Sequence, residues 1–371
     1  MLDNLLKSKL KKRQEENSFR KLTHPSGLID FTSNDYLGLA RSEALFALIK
    51  KRTESLLHRN GATGSRLLSG NNRYTEEVED NLATIFNSEA VLIFNSGYAA
   101  NQAVLSSIPQ KGDTILYDEL AHACIRDGAR LSLASRFPFL HNNLNDLEER
   151  LKKATGNIFI AVESIYSMDG DQCPLQDLAA LADRYDATII LDEAHSTGIV
   201  GINGAGMAVS QKLEKKIPAR IYTFGKAMGV HGACVAGSRT LIDYLINFAR
   251  PFIFTTALAP HSIASIDCSF EFLSSHLELQ KQLSDRINHF KEIANTLKLQ
   301  KLNSDTQIQG VVIPGNENIK KVADDLQRKG FDVRPILSPT VAKGSERLRI
   351  CLHTFNTVEE ITRLVQQLSK F

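Results

Sequence analysis

Residues Thr188-Ile189-Ile190-Leu191-Asp192-Glu193-Ala194-His195 decide how this chain reads. Four β-branched or aliphatic side chains in a row describe a short strand buried on both faces, as in a parallel sheet. The run ends in two acids and a histidine, so polar chemistry arrives at the carboxyl end of a strand. A second run does the same: Ile221-Tyr222-Thr223-Phe224 leads into Gly225-Lys226-Ala227-Met228-Gly229. A long, strongly hydrated cation among such small residues implies a task for its amine.

Working outward, residues 90–94, 114–117, 158–162 and 233–236 are further short apolar runs. Helices are expected from about residue 98, over 121–131 and over 175–185. Strands alternating with helices predict an α/β fold, with a mostly parallel central sheet carrying helices on both faces. Past Phe254 the pattern changes to long amphipathic helices at about 260–300, a strand at 308–313, a helix near 318–329 and a strand at 347–352. These predict a smaller C-terminal α+β domain. At the other end, residues 1–20 read as a charged helix with Leu2, Leu5, Leu6 and Leu10 on one side. A turn at 23–27 and an extended piece at 28–31 follow. The expected division is an N-terminal helix and arm at 1–40, a large domain at 41–255 and a small domain at 256–371.

With 371 residues, 43% of them hydrophobic, the chain can bury a large core. A net charge of +2, with both signs interspersed, gives no case for nucleic acid or an anionic membrane as partner. Lys7 to Arg13 is basic, but Glu15 and Glu16 follow, as on a solvated helix face. The five cysteines are odd in number and lack C-x-x-C spacing, which suits reduced thiols and no zinc site. No apolar signal core and no membrane-length apolar run is present, so a cytoplasmic location is expected.

In open α/β sheets ligands bind beyond the carboxyl ends of strands. Asn95-Ser96-Gly97-Tyr98, residues 163–171, residues 192–195 and Thr223 to Lys226 all fall there. A primary amine that can form a Schiff base, with a carboxylate and an imidazole at neighbouring strand ends, is what a pyridoxal phosphate (PLP) site requires. Lys226 is the candidate for the aldehyde, Asp192 for the pyridinium nitrogen and His195 for the phenolic oxygen. His122, at a helix start, is placed to stack on the ring. Gly97 and Tyr98 open a helix whose free amides suit a phosphate, to which Thr223 adds a hydroxyl. Each residue also has a plainer reading: a solvated lysine, a capping aspartate, a structural histidine, an ordinary strand–helix turn.

Residues 192–195 also spell the DEAH box of NTP-driven helicases. That reading needs G-x-x-x-x-G-K-[ST], whereas Ala227 follows Gly225-Lys226 and Arg220 stands where the first glycine belongs. Neither a G-x-S-x-G elbow nor spaced zinc ligands occur. A non-catalytic scaffold of the same fold would have no need of Lys226, Asp192 and Arg349.

The chain resembles the α-oxoamine synthases, a PLP-dependent family of the aspartate-aminotransferase-like fold. The likeness rests on Ser33-Asn34-Asp35-Tyr36-Leu37-Gly38, Gly61-Ala62-Thr63-Gly64-Ser65-Arg66 and Ser96-Gly97-Tyr98-Ala99-Ala100-Asn101. It extends through Ser167-Met168-Asp169-Gly170-Asp171, residues 192–195, Thr223-Phe224-Gly225-Lys226 and Pro339-Thr340-Val341. The resemblance implies that Gly97, Tyr98, Ser167 and Thr223 hold the cofactor and that Arg349 clamps the amino-acid carboxylate. It implies that Asn34 and Glu163 line the site, and that Arg20 and Thr340 touch substrate. Thr255 and Thr256 would reach the phosphate of a second copy, in a homodimer with its site at the subunit interface. The implied reaction is a decarboxylating condensation of L-alanine with pimeloyl-CoA or a pimeloyl carrier protein, a step toward biotin. Glycine or serine with another acyl-CoA are the sibling pairings. The chain departs at Leu337 from the pattern of the family's biotin-pathway members, where arginine is common, with Arg334 three positions earlier; His231 is a second departure.

Overall fold

The computed structural model describes residues 2–22, 27–54 and 59–371. The turn expected at 23–27 falls almost wholly outside them. In chain order the strands are β1 (Ile29–Asp30), β2 (Ala90–Phe94), β3 (Thr114–Asp118), β4 (Ser135–Phe139), β5 (Ile158–Glu163) and β6 (Ala187–Asp192). They continue as β7 (Ala219–Thr223), β8 (Ala233–Gly237), β9 (Ile308–Val312), β10 (Phe331–Asp332), β11 (Arg334–Ile336) and β12 (Arg347–Cys351).

Two compact units result. One comprises Leu37–Ser167 and Gln172–Lys281; the other comprises Met1–Tyr36, Met168–Asp171 and Gln282–Phe371. The sequence reading divides the chain at 40/41 and 255/256. The compact units divide it at 36/37 and 281/282, the second point lying inside the helix Glu278–Thr296.

The first unit is built on a seven-stranded sheet in the order β2-β8-β7-β6-β5-β3-β4. Strands β4, β3, β5, β6 and β7 run parallel, while β8 is antiparallel to both β7 and β2. The sheet is therefore mostly parallel, and its most apolar strands are fully buried: all five residues of β2 and of β8 lie out of solvent. The helix Gly97–Ser107 packs against β2, β7 and β8. It joins Ala100, Ala103 and Val104 to Leu92, Ile221 and Val235 in one apolar core. Each large aliphatic side chain buried there contributes about 2 kcal/mol of transfer free energy.

The second unit sews the two ends of the chain together. Strand β1 pairs in parallel with β10, and β11, β12 and β9 form an antiparallel sheet. The Cys351 amide donates to the Phe31 carbonyl and the Thr354 amide to the Tyr36 carbonyl. The excursion 168–171 is gripped in the same unit. Ser304 and Thr306 hydroxyls donate to the Gly170 carbonyl, at 2.9 and 2.7 Å, and Arg347 pairs with Asp169. Gly170 has φ +75°, and a Cβ there would stand 2.0 Å from the Ile308 carbonyl oxygen, so no side chain fits.

The first helix is shorter than its charge pattern suggests, running Leu2–Glu15. Asn17 adopts φ +54° and the Ser18 amide turns back to the Arg13 carbonyl, closing the helix. None of its residues is buried. Among the described residues no helix is long and apolar enough to cross a membrane.

Candidate active site

Four parallel strands of the first unit end in residues with reactive or hydrogen-bonding side chains: Asp118 on β3, Glu163 on β5, Asp192 on β6 and Thr223 on β7. Glu163 and Asp192 are register partners, so two carboxylates share one edge. Both are buried. Asp192 Oδ2 accepts from Asn101 Nδ2 at 2.7 Å, and its Oδ1 accepts from the Ala194 amide at 2.8 Å. Burial first, then the Asp192 charge, pushes the Glu163 carboxyl up to about 8, against the opposing pull of Lys226. Glu163 also anchors the His122 segment, accepting from the His122 amide at 2.6 Å.

Lys226 lies in the connection between β7 and β8. The Phe224 amide donates to Gly232, Val230 to Phe224 and Gly229 to the Lys226 carbonyl, so the loop is tied locally. The Lys226 side chain is half-buried. Its Nζ lies 2.8 Å from Nε2 of the buried His195, within hydrogen-bond distance.

Gly97 and Tyr98 begin the helix after β2. Ser96 caps it by accepting from the Ala99 amide, and the Ser96 carbonyl takes the Ala100 amide. The Gly97 and Tyr98 amides remain as first-turn donors. A Cβ on Gly97 would stand 2.2 Å from Thr223 Oγ1 and fill the space between helix start and strand end. Tyr98 itself is partly exposed and its hydroxyl donates to Asp127. Ser167 is buried. Thr256, beside Thr255, bridges Ser65, and its carbonyl accepts from the side chain of Asn95, two residues before Gly97, at 3.1 Å.

The candidates for substrate contact lie in the second unit. On β12, Arg349 donates through Nη2 to Asn34 Oδ1 at 3.0 Å and to the Tyr36 hydroxyl at 3.4 Å. The Tyr36 hydroxyl in turn donates to Asn34 at 2.8 Å, which holds the guanidinium plane. Arg20 reaches Thr340 Oγ1 at 3.5 Å.

Asn101, which the sequence analysis quotes without a role, joins this cluster. It lies one helical turn beyond Gly97, and its amide bridges the Gly97 carbonyl and Asp192. Glu193 goes the other way. Fully buried, it accepts from the Met207 and Ala208 amides at 3.0 and 2.7 Å and from Ser196. A carboxylate so engaged is not available to polarise water for NTP hydrolysis, so the DEAH reading fails on its second residue.

PLP fits these residues. The Gly97 cradle and two first-turn amides suit a phosphate. Asp192 is a buried acceptor fixed in orientation, and Lys226 offers an amine beside an imidazole. The family model for class I and II aminotransferases matches residues 26–368. An 8-amino-7-oxononanoate synthase of Emericella nidulans is 39% identical, over 99% of this chain and 95% of that protein. Among solved structures, serine palmitoyltransferase from S. paucimobilis with bound PLP–myriocin aldimine matches with TM-score 0.89 and 25% identity, over 98% of this chain and 96% of that one. 8-Amino-7-oxononanoate synthase from Francisella tularensis matches with TM-score 0.81 and 29% identity, over 93% and 98%.

Proposed function

We infer, for a chain that belongs to the class I and II aminotransferase family, a PLP-dependent α-oxoamine synthase. It condenses L-alanine with a pimeloyl thioester to 8-amino-7-oxononanoate, CO2 and free thiol, in biotin biosynthesis. The observation that carries this reading is the cluster at the β5, β6 and β7 ends: Lys226 Nζ held 2.8 Å from His195, beside an Asp192 oriented by Asn101. Near-complete coverage of a named synthase at 39% identity supports the same chemistry.

PLP bound there supplies an aldehyde for amines and a pyridinium that withdraws electrons from the amino-acid Cα. Asp192 would keep the ring nitrogen protonated, and His195 would hydrogen-bond the ring oxygen. Lys226 would hold the aldehyde and, once free, would accept the Cα proton as general base. The amides of Gly97 and Tyr98, with Ser167 and Thr223, hold the phosphate. Arg349 receives the alanine carboxylate in a two-point grip, with Asn34 setting its plane and Glu163 lining the site. His122 would stack on the cofactor and would donate to the thioester oxygen as charge develops. Arg20 and Thr340 contact the acyl substrate, delivered by CoA or a carrier protein. Thr255 and Thr256 serve the phosphate of a second copy in a homodimer, and the enzyme works in the cytoplasm.

Leu337, in place of the arginine common in the family's biotin-pathway members, favours a second reading: glycine or serine with another acyl-CoA. The test is turnover of purified protein with alanine, glycine and serine against pimeloyl, acetyl and palmitoyl thioesters. Alanine with the pimeloyl thioester is the expected pair; preference for another pair transfers the assignment to a sibling. Lys226→Ala is expected to lose the visible cofactor absorbance and at least about 10³-fold in turnover. Wild-type turnover in that variant would remove Lys226 from the chemistry.

A further inference from the structure

His122 is the N-cap of the helix Ala123–Leu131, and it caps with its ring. The Cys124 amide donates to His122 Nδ1 at 3.2 Å, and Cys124 Sγ lies 2.9 Å from the same nitrogen. Cys124 is buried, and burial pushes its thiol far above the ordinary range, so sulfur keeps its proton and acts as a donor. Two donors from one residue therefore converge on Nδ1. A proton on that nitrogen would face the amide hydrogen and break the cap.

We propose that Cys124 is a positioning residue that locks His122 as the neutral Nε2–H tautomer, making it a hydrogen-bond donor and excluding it as the base. The proton at the amino-acid Cα then has to go to Lys226. The groups around the ring act in line with this. The surrounding protein wall and then the Lys226 and Arg126 charges hold the imidazole below its ordinary range, while Asp192 and Asp127 pull it up. Glu163, on the neighbouring strand end, grips the His122 backbone amide and leaves the ring free.

The catalytic consequence rests on the PLP reading, but the tautomer does not, and the experiment separates them. The probe is holoenzyme with 15N-labelled histidine, observed by NMR from pH 5 to 8, for wild type, Cys124→Ser and Cys124→Ala. Wild type is expected to show the Nε2–H shift pattern. The serine variant, which retains a donor, should keep both that pattern and the titration point. The alanine variant should titrate at least about 0.5 pH unit higher, a threefold gain in proton affinity. Its kcat should fall several-fold with KM for alanine unchanged. An Nδ1–H pattern in wild type would overturn the proposal. So would a C124A titration point within about 0.2 unit of wild type, or a C124S that behaves like C124A. Failure of all three proteins to take up PLP, with the tautomer shifts as expected in the protein as purified, would refute the PLP reading and leave the lock standing.

Discussion

At the scale of single residues, the edge shared by Glu163 and Asp192 sets the electrostatics. Two buried carboxylates in register cannot both ionise cheaply, and the one with fewer donors takes the proton. Asp192 has Asn101 and the Ala194 amide; Glu163 has the His122 amide. A folded value near 8 against an ordinary 4.5 means that the native state binds the extra proton between those limits. The stability Glu163 contributes is therefore full below about 4.5 and is lost as pH rises through about 8. Glu163→Gln keeps an acceptor for the His122 amide and removes the titration. In urea denaturation of cofactor-free protein, wild-type stability should decline relative to this variant from pH 5 to 8; parallel pH curves would refute the assignment. The sequence identified Asp192, Glu163 and His195 from their places at run ends. It gave no hint that Asn101 fixes Asp192, because that pairing spans 91 positions and needs the helix packed on the sheet.

Among elements, the helix Gly97–Ser107 bears most on the site. Its first turn offers the amides, its second presents Asn101, and its apolar face covers three strands. Gly97→Ala puts a methyl group 2.2 Å from Thr223 Oγ1, so strand end or helix start must shift. The expected cost is about 1–3 kcal/mol of stability, with PLP affinity weakened more than tenfold in a fluorescence titration. Unchanged affinity would dissociate this cradle from the phosphate. The strands that the sequence shows best are those buried on both faces, such as β2 and β8. Strand β4, Ser135–Phe139, is missed because four of its five residues are exposed and a proline lies within it, so no apolar run marks it. The closing helix Val358–Leu368, with a Thr357–Glu360 capping box, is also missed, although that box was legible.

On the scale of the whole molecule, the second unit is assembled from three separate stretches of chain. Its β1–β10 pairing, the Cys351–Phe31 bond and the Asp169–Arg347 ion pair all join distant stretches. A fragment of residues 282–371 alone lacks β1 and the Gly170 carbonyl that Ser304 and Thr306 engage. It is expected to show no cooperative thermal transition by circular dichroism, and a sharp transition would show that the other stretches are dispensable. Sequence periodicity sees neighbours a few positions apart, so the small unit's strands at 308–312 and 347–351 and the extended piece at 28–31 were legible, while the pairing of that piece with β10 was not. The same arrangement sets a schedule for birth on the ribosome. Strand β1 emerges early and has no mate until residue 331 is made, a wait on the order of half a minute at ordinary translation speeds. A message truncated before that codon yields a nascent chain whose β1 has no strand to pair with.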